Sequence, residues 1–400
     1  MEEEDQKEMI AAGVDKTLYL CFGEYNQQGM VSYTIQALRL RDFGPHKVNI
    51  KQLGVYIIGQ GLRPNMGIGA FGSKIVLAGG CESIYDGCKY RSCPSKDMYV
   101  FETEDPNEPI KDPCDVFNNS TLQRGKSCPL VAQHDGKLYV LSTLCLKTWA
   151  RDPFRGGFEM FDPKVGKWAT LPESPTFGYI RHSRWTSYVV VGSNIFVSTL
   201  CCPIYRFDMA DPNHQWKQHN FTDCSEFPMP LDCQTLAVET RHGDWVLFTC
   251  KLEAHLIADD KDYPKDDNYD MFDDFHRHLL EWKGTSMSVC LMSKDLTSLK
   301  ALEPLKLPHL DTLPRRVRNI EPMLVHLGAQ TVCLILSADT RDGAMREKQI
   351  FSMMFEFEIV ESRCALAFRN FYGPFKFTYD ADGPSDSRTT RVGMLGAILL

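Results

Sequence analysis

The sequence predicts an all-β protein assembled from six repeats of a four-stranded antiparallel unit. Three observations lead there. A turn-plus-strand pattern recurs along the chain, a second, Trp-containing hairpin follows several copies, and an apolar segment comes after the sixth unit.

The recurring pattern is a tight turn carrying Gly or Asp that leads into a short β-prone run. It is clearest at Gly72-Ser73-Lys74-Ile75-Val76-Leu77-Ala78 and returns at 136–141, 192–197 and 243–248. Weaker copies begin at Asp15 and Ala329. A further β-like run precedes every turn but the first, so these copies read as hairpins. Downstream, Phe158-Glu159-Met160-Phe161-Asp162-Pro163 leads through Gly166 to Trp168 and Leu171-Pro172, and Ile204 to Asp208 leads to Trp216. Fainter versions start at Met98, Met287 and Met354. These supply the third and fourth strands, with Trp168 and Trp216 expected to pack between units.

The first unit lacks a preceding strand, because residues 6–14 are polar and short. The run Arg391-Val392-Gly393-Met394-Leu395-Gly396-Ala397-Ile398-Leu399-Leu400 is expected to supply it. A C-terminal strand pairing with the first unit closes a ring and removes a sheet edge.

With Gly79-Gly80 and the block from Phe161 to Pro172 on the page, the chain resembles the kelch repeat, whose units run to about 50 residues and build β-propellers. The resemblance implies a six-bladed kelch-like β-propeller closed by the C-terminal strand. Residues 1–14 form an acidic N-terminal tail and 15–400 a single propeller. Its blades fall at 15–60, 64–117, 128–175, 184–223, 232–310 and 318–378, with 391–400 completing blade one. Kelch proteins of the ubiquitin-ligase type carry an F-box or BTB domain upstream. The short acidic start encodes neither, so a stand-alone propeller is expected.

Composition narrows the function classes. In 400 residues, Lys and Arg number 44 against 52 Asp and Glu, a net charge of −8. That argues against generic nucleic-acid binding, which needs a basic surplus. No apolar run approaches the ~18 residues of a membrane span. The start, Met1-Glu2-Glu3-Glu4-Asp5, lacks the basic and apolar parts of a secretory signal. The 15 cysteines are odd in number and irregular in spacing, so reduced thiols in a cytoplasmic or nuclear monomer are expected.

The long inserts, at 81–97, 144–157, 251–284 and 338–348, all fall between second and third strands. Antiparallel topology puts these connections on one face, the expected functional face. Arg63, Arg124, Arg184, Arg318 and Arg391 stand at or just before the first strands on that same face. They recur at about one-blade intervals, and blade five alone lacks one. Arg181, Arg315, Arg316 and Lys126 would add to the ring. Guanidinium forks suit carboxylates and phosphates, and such a ring in an acidic protein would attract a protein with an acidic motif or a small anionic ligand. Kelch domains that grip acidic peptides through arginines at the channel mouth are similar. Aromatics on the inserts, Tyr85, Tyr90, Trp149 and Phe154, would add contact. Alternatively, as the resemblance implies, arginines at this kelch position bond to carbonyls or carboxylates of the neighbouring blade and serve the fold.

An enzyme is the alternative function. No recognisable catalytic motif is present, and a lyase or isomerase would use the same face. The aspartate-rich 251–284 insert places Asp270, Asp274 and His278 four residues apart, on one face if helical. The set resembles the acidic-acidic-His triad by which the nitrile-specifier proteins, also kelch propellers, hold Fe2+, although their first acid is normally Glu. Otherwise no cofactor is expected. Cys81, Cys88 and Cys93 lack the paired spacing of a zinc site. Gly67-Ile68-Gly69-Ala70-Phe71-Gly72 fits a dinucleotide-binding string but leads into a strand, not the helix such a site needs.

Overall fold

The computed structural model describes residues 16–25, 31–39, 63–85, 90–103, 116–117, 121–145, 157–176, 184–199, 203–211, 213–222, 235–256, 280–307, 316–342, 345–360, 363–378 and 391–400. Every named element among them is a strand. β1 (Thr17–Tyr25) and β2 (Val31–Arg39) form the first hairpin. Blade two contains β3 (Gly67–Phe71), β4 (Lys74–Ala78) and β7 (Met98–Glu102), with β5 (Cys81–Tyr85) and β6 (Tyr90–Pro94) a separate hairpin at its corner. Blade three orders β8 (Leu130–His134), β9 (Lys137–Leu141), β11 (Phe158–Asp162) and β12 (Lys167–Leu171). β10 (Leu144–Cys145) extends beyond β9.

Blade four is preceded by β13 (Arg184–Trp185). It orders β14 (Ser187–Val191), β15 (Asn194–Ser198), β16 (Ile204–Asp208) and β17 (Trp216–His219). Blade five has β18 (Thr235–Glu239), β19 (Trp245–Leu256) and β20 (Leu280–Met292), flanked by β21 (Leu299–Ala301) and β22 (Leu305–Lys306). Blade six runs β23 (Arg316–Gly328), β24 (Thr331–Asp342), β25 (Met345–Val360) and β26 (Arg363–Thr378). β27 (Arg391–Leu399) pairs antiparallel with β1, Leu18 facing Leu399 and Tyr25 facing Arg391. The expected C-terminal closure is present. Residues 1–14, 40–62 and 104–115 lie outside the described residues, and blades one and two each show three strands within them.

The turns explain why the repeated pattern folds as hairpins. Gly72, Gly136, Gly192 and Gly243 all take positive φ, +61°, +69°, +58° and +86°. Asp135 joins Gly136 at +47°, the paired left-handed geometry that suits a two-residue hairpin turn.

Strand alternation then builds the ring. Leu18, Leu20 and Phe22 on one side of β1 share a core with Val325, Cys333 and Ile335 of blade six. Tyr19 and Cys21 on the other side join Ile75, Leu77 and Phe101 of blade two. The same sharing links blades two and three through Val76, Val131, Phe161 and Trp168, and three and four through Tyr139, Phe158 and Phe207. Val189, Phe196 and Leu247 link four and five, and Phe248, Leu334 and Phe355 link five and six. Six cores, each shared by two consecutive sheets and the last returning to the first, make a six-bladed β-propeller. Burying one such aromatic or aliphatic side chain contributes about 1.5–3 kcal/mol, so every junction is held by several of them.

Glycine sets the spacing at the centre. A Cβ on Gly67 of β3 would lie 2.0 Å from the Pro129 carbonyl oxygen, and one on Gly69 would lie 2.6 Å from Val131. One on Gly396 of β27 would lie 2.2 Å from Ile68 Cγ2. The glycine string read in the sequence therefore serves the close approach of neighbouring first strands. Trp168 packs against Phe117 and Phe161, and Trp216 against Phe158 and Phe207, as expected of wedge residues between strands.

Candidate binding face

The second-to-third strand connections and the lead-ins to the first strands share one face. Three connections extend well beyond the blades as hairpins: β5–β6, β19–β20 and β24–β25. The lead-ins do not hang free. Lys126 bridges to Ser95 of blade two, Arg184 and Trp185 pair with Cys145 and Leu144 of blade three, and Arg316 and Val317 pair with Glu281 and Leu280 of blade five. These antiparallel stitches join blades two to three, three to four and five to six. The last merges blades five and six into one nine-stranded sheet. Sequence periodicity carries no sign of them, because each depends on contacts between repeats.

Arg63 leads into β3. Its Nε donates to Asp97 Oδ2 at 2.9 Å, and its carbonyl accepts from the Tyr33 hydroxyl. The Asp97 backbone N–H is held by Ser95 Oγ at 2.9 Å. Beside this pair, burial raises the Tyr99 hydroxyl above its ordinary pKa; the Asp97 carboxylate adds to the rise and Arg63 opposes it. Arg124 leads into β8. Its Nη1 donates to Glu173 Oε1 at 2.6 Å, with the arginine side chain 50% exposed and the glutamate 29%. Arg63 and Arg124 thus each have a carboxylate from their own blade.

Lys126 differs from what the sequence suggests. Its side chain is wholly buried, so it is not part of a ring open to a partner. Its Nζ donates to Glu159 and, at 2.8 Å, to the Arg124 carbonyl. Glu159 on β11 also accepts the backbone N–H groups of Gln123 at 2.7 Å and Arg124 at 2.8 Å. Burial pulls the Lys126 pKa down while the Glu159 charge pushes it back up. Gly157 lies tight against the pair, since a Cβ there would sit 2.9 Å from Nζ. One carboxylate thus folds the lead-in so that Arg124 projects outward. A buried charge is rarely stable without such pairing and hydrogen bonding. The only trace of it in the sequence is an acid set among Phe158, Met160 and Phe161.

The remaining arginines are placed by backbone. Arg184 sits in β13, Arg318 in β23 opposite Asp339, and Arg391 opens β27 opposite Tyr25. All three lie at the lead-in end of their blades by backbone, while their side chains lie outside the described residues. Arg181, Arg315, Asp270, Asp274, His278, Cys88, Trp149 and Phe154 also lie outside them. Among the described residues no three His, Cys, Asp or Glu side chains gather as a metal site. Cys81 and Cys93 point to opposite sides of their hairpin, because Cys81 faces Pro94 and Cys93 faces Glu82.

Residues 111–231 match a family described as a protein of unknown function, DUF1668. No curated protein sequence matches this chain. Among solved structures, that of YjhT is similar over 86% of this chain and 96% of its own, with 11% identity and a TM-score of 0.48. The AfRom2 CNH domain is similar over 90% of this chain and 98% of its own, with 8% identity and a TM-score of 0.32. These likenesses concern the fold, which stands here on strand pairing and shared cores.

Proposed function

We propose that this protein is a kelch-type interaction module that docks an acidic partner on its arginine-bearing face. The observation that carries the reading is the backbone position of Arg63, Arg124, Arg184, Arg318 and Arg391 at the lead-in end of five blades, on the face that also carries the long hairpins. In a chain of net charge −8 these positions set five guanidinium groups on one face, where a partner's carboxylates would compete with the chain's own.

Arg124 supplies the chemistry most directly. Its fork is half exposed and its carboxylate partner is a surface side chain. Exposed pairs of this kind contribute about 0–1 kcal/mol. A partner's aspartate or glutamate therefore replaces Glu173 at little expense and gains a charge-assisted bidentate contact.

The test is fluorescence anisotropy with a panel of Asp- and Glu-rich peptides against wild type and Arg124→Glu. Wild-type binding that weakens at least ~10-fold in the variant, a change of about 1.4 kcal/mol, and that falls steeply with salt supports the reading. Equal affinity in the two proteins, or no acidic peptide bound at all, rejects it.

A further inference from the structure

The strongest unassigned chemistry lies at the corner between blades two and three. Cys81 opens β5 directly after Gly79 and Gly80, whose φ values are +71° and +98°. A Cβ on Gly79 would lie 2.6 Å from the Lys126 carbonyl oxygen and one on Gly80 2.8 Å from that of Pro64. The double glycine therefore lets the blade-two corner press against the lead-in of blade three. Cys81 is 5% exposed, and its N–H donates to Pro64 O at 2.8 Å.

Cys128 reaches the same spot from the other side. It takes φ +46°, a left-handed conformation uncommon for a residue with a Cβ. Neighbouring bonds hold it there. Its carbonyl accepts from Thr143 Oγ1, Thr143 N–H donates to Ser127 O at 3.2 Å, and Ser127 N–H donates to Ser142 Oγ at 3.0 Å. The Cys128 side chain packs on Cys81, and both are reduced thiols, not joined in a disulfide. Cys81 lies near Cys88 and Cys93 along the chain, but the thiol it meets belongs to the next blade.

We propose that Cys81 and Cys128 form a redox latch that closes to a disulfide between blades two and three. Two thiols in contact on backbones fixed from both sides need little movement to cross-link. The adjoining Cys81 thiol and burial both hold the Cys128 thiol well above its ordinary pKa, so thiolate is scarce and attack is slow. The oxidant that fits is a low-molecular-weight disulfide such as oxidised glutathione, acting over a long exposure.

Cys128, the more exposed of the two, loses its proton to solvent and attacks one glutathione sulfur, forming a mixed disulfide and expelling a glutathione thiolate. Cys81 then loses its proton and attacks the Cys128 sulfur, forming the Cys81–Cys128 bond and expelling a second thiolate. Two thiols are oxidised by two electrons, one oxidised glutathione becomes two reduced ones, and the released protons balance the two thiolates. The closed latch ties the β5–β6 corner to the lead-in carrying Arg124 and Lys126.

The experiment incubates the full chain with oxidised glutathione, unfolds it in excess iodoacetamide, and maps the digest by mass spectrometry. The expected result is a Cys81–Cys128 cross-linked peptide that dithiothreitol removes, with a melting temperature several degrees above that of reduced protein. Cys81→Ser and Cys128→Ser should each lose that rise. Three results overturn the proposal: both cysteines recovered fully alkylated, a lasting glutathione adduct on Cys128 without the cross-link, or cross-links joining other cysteines instead. The wild-type map alone decides between these, so a variant that folds poorly leaves the test intact.

Discussion

Lys126 Nζ and Glu159 meet as an ion pair from which water is fully excluded, one group on the lead-in to blade three and the other on its third strand. The pair matters because one partner cannot be removed without stranding the other. Lys126→Met leaves the Glu159 carboxylate buried with only two backbone N–H donors. Breaking a buried pair in this way costs about 3–5 kcal/mol. Urea denaturation should show that loss for Lys126→Met, and a smaller loss for the double variant Lys126→Met/Glu159→Gln, which removes the stranded charge. Equal stability of wild type and the single variant would show that the pair does not hold the lead-in.

Alkaline pH should loosen the ring at its cores. Cys21 and Cys333 are wholly buried, and burial pushes each thiol from an ordinary 9.0 to about 12. Tyr139 moves the same way, from 10.0 to about 12, mainly by burial. A raised folded-state pKa means that the native protein keeps its proton after the unfolded chain has released it. The associated stability is complete below pH 9 and is lost as pH climbs towards 12, at up to about 1.4 kcal/mol per pH unit for each group. Unfolding free energy measured from pH 8 to 11 should therefore fall, and Cys333→Ala should flatten the fall. A profile unchanged by that substitution would assign the alkaline loss elsewhere.

Glycines at the centre should tolerate substitution in a graded way. Gly67→Ala drives a methyl into the Pro129 carbonyl, a backbone atom that cannot step aside, so expression of folded protein should collapse. Gly396→Ala meets a side-chain methyl of Ile68 and should cost less. Gly72→Ala meets nothing but takes φ +61°, a penalty of about 1–2 kcal/mol. Thermal melts of the three variants should rank them in that order, with Gly72→Ala the mildest.

The sequence carries those features that are set within a repeat. The turn glycines at 72, 136, 192 and 243 are local, and each takes the backbone conformation its pattern implies. The closing strand is legible because a β-prone apolar run after a finished sixth unit has only one open edge to join. The face bearing the long hairpins follows from antiparallel connectivity alone. Features that depend on side chains far apart along the chain are hidden. Lys126 looked like one more surface cation, since nothing in its neighbourhood foretells that Glu159 and Gly157 enclose it. A structural role for these arginines in bonding carboxylates is legible as an alternative, but Asp97 and Glu173 lie 34 and 49 residues from Arg63 and Arg124, and no spacing names them. The contact of Cys81 with Cys128 spans two blades and leaves no spacing to read.

Under the proposed recruitment of carboxylates to the arginine-bearing face, Glu173 competes with a partner for Arg124. If Glu173 occupies Arg124 in place of a partner, removing its charge frees the fork. The measurement is the affinity of one acidic peptide for wild type, Glu173→Gln and Arg124→Gln under identical salt. Binding should be several-fold tighter for Glu173→Gln and at least ~10-fold weaker for Arg124→Gln, the loss of a charged hydrogen bond of about 1.5–3 kcal/mol. Affinity unchanged by both substitutions would rule out carboxylate docking at Arg124.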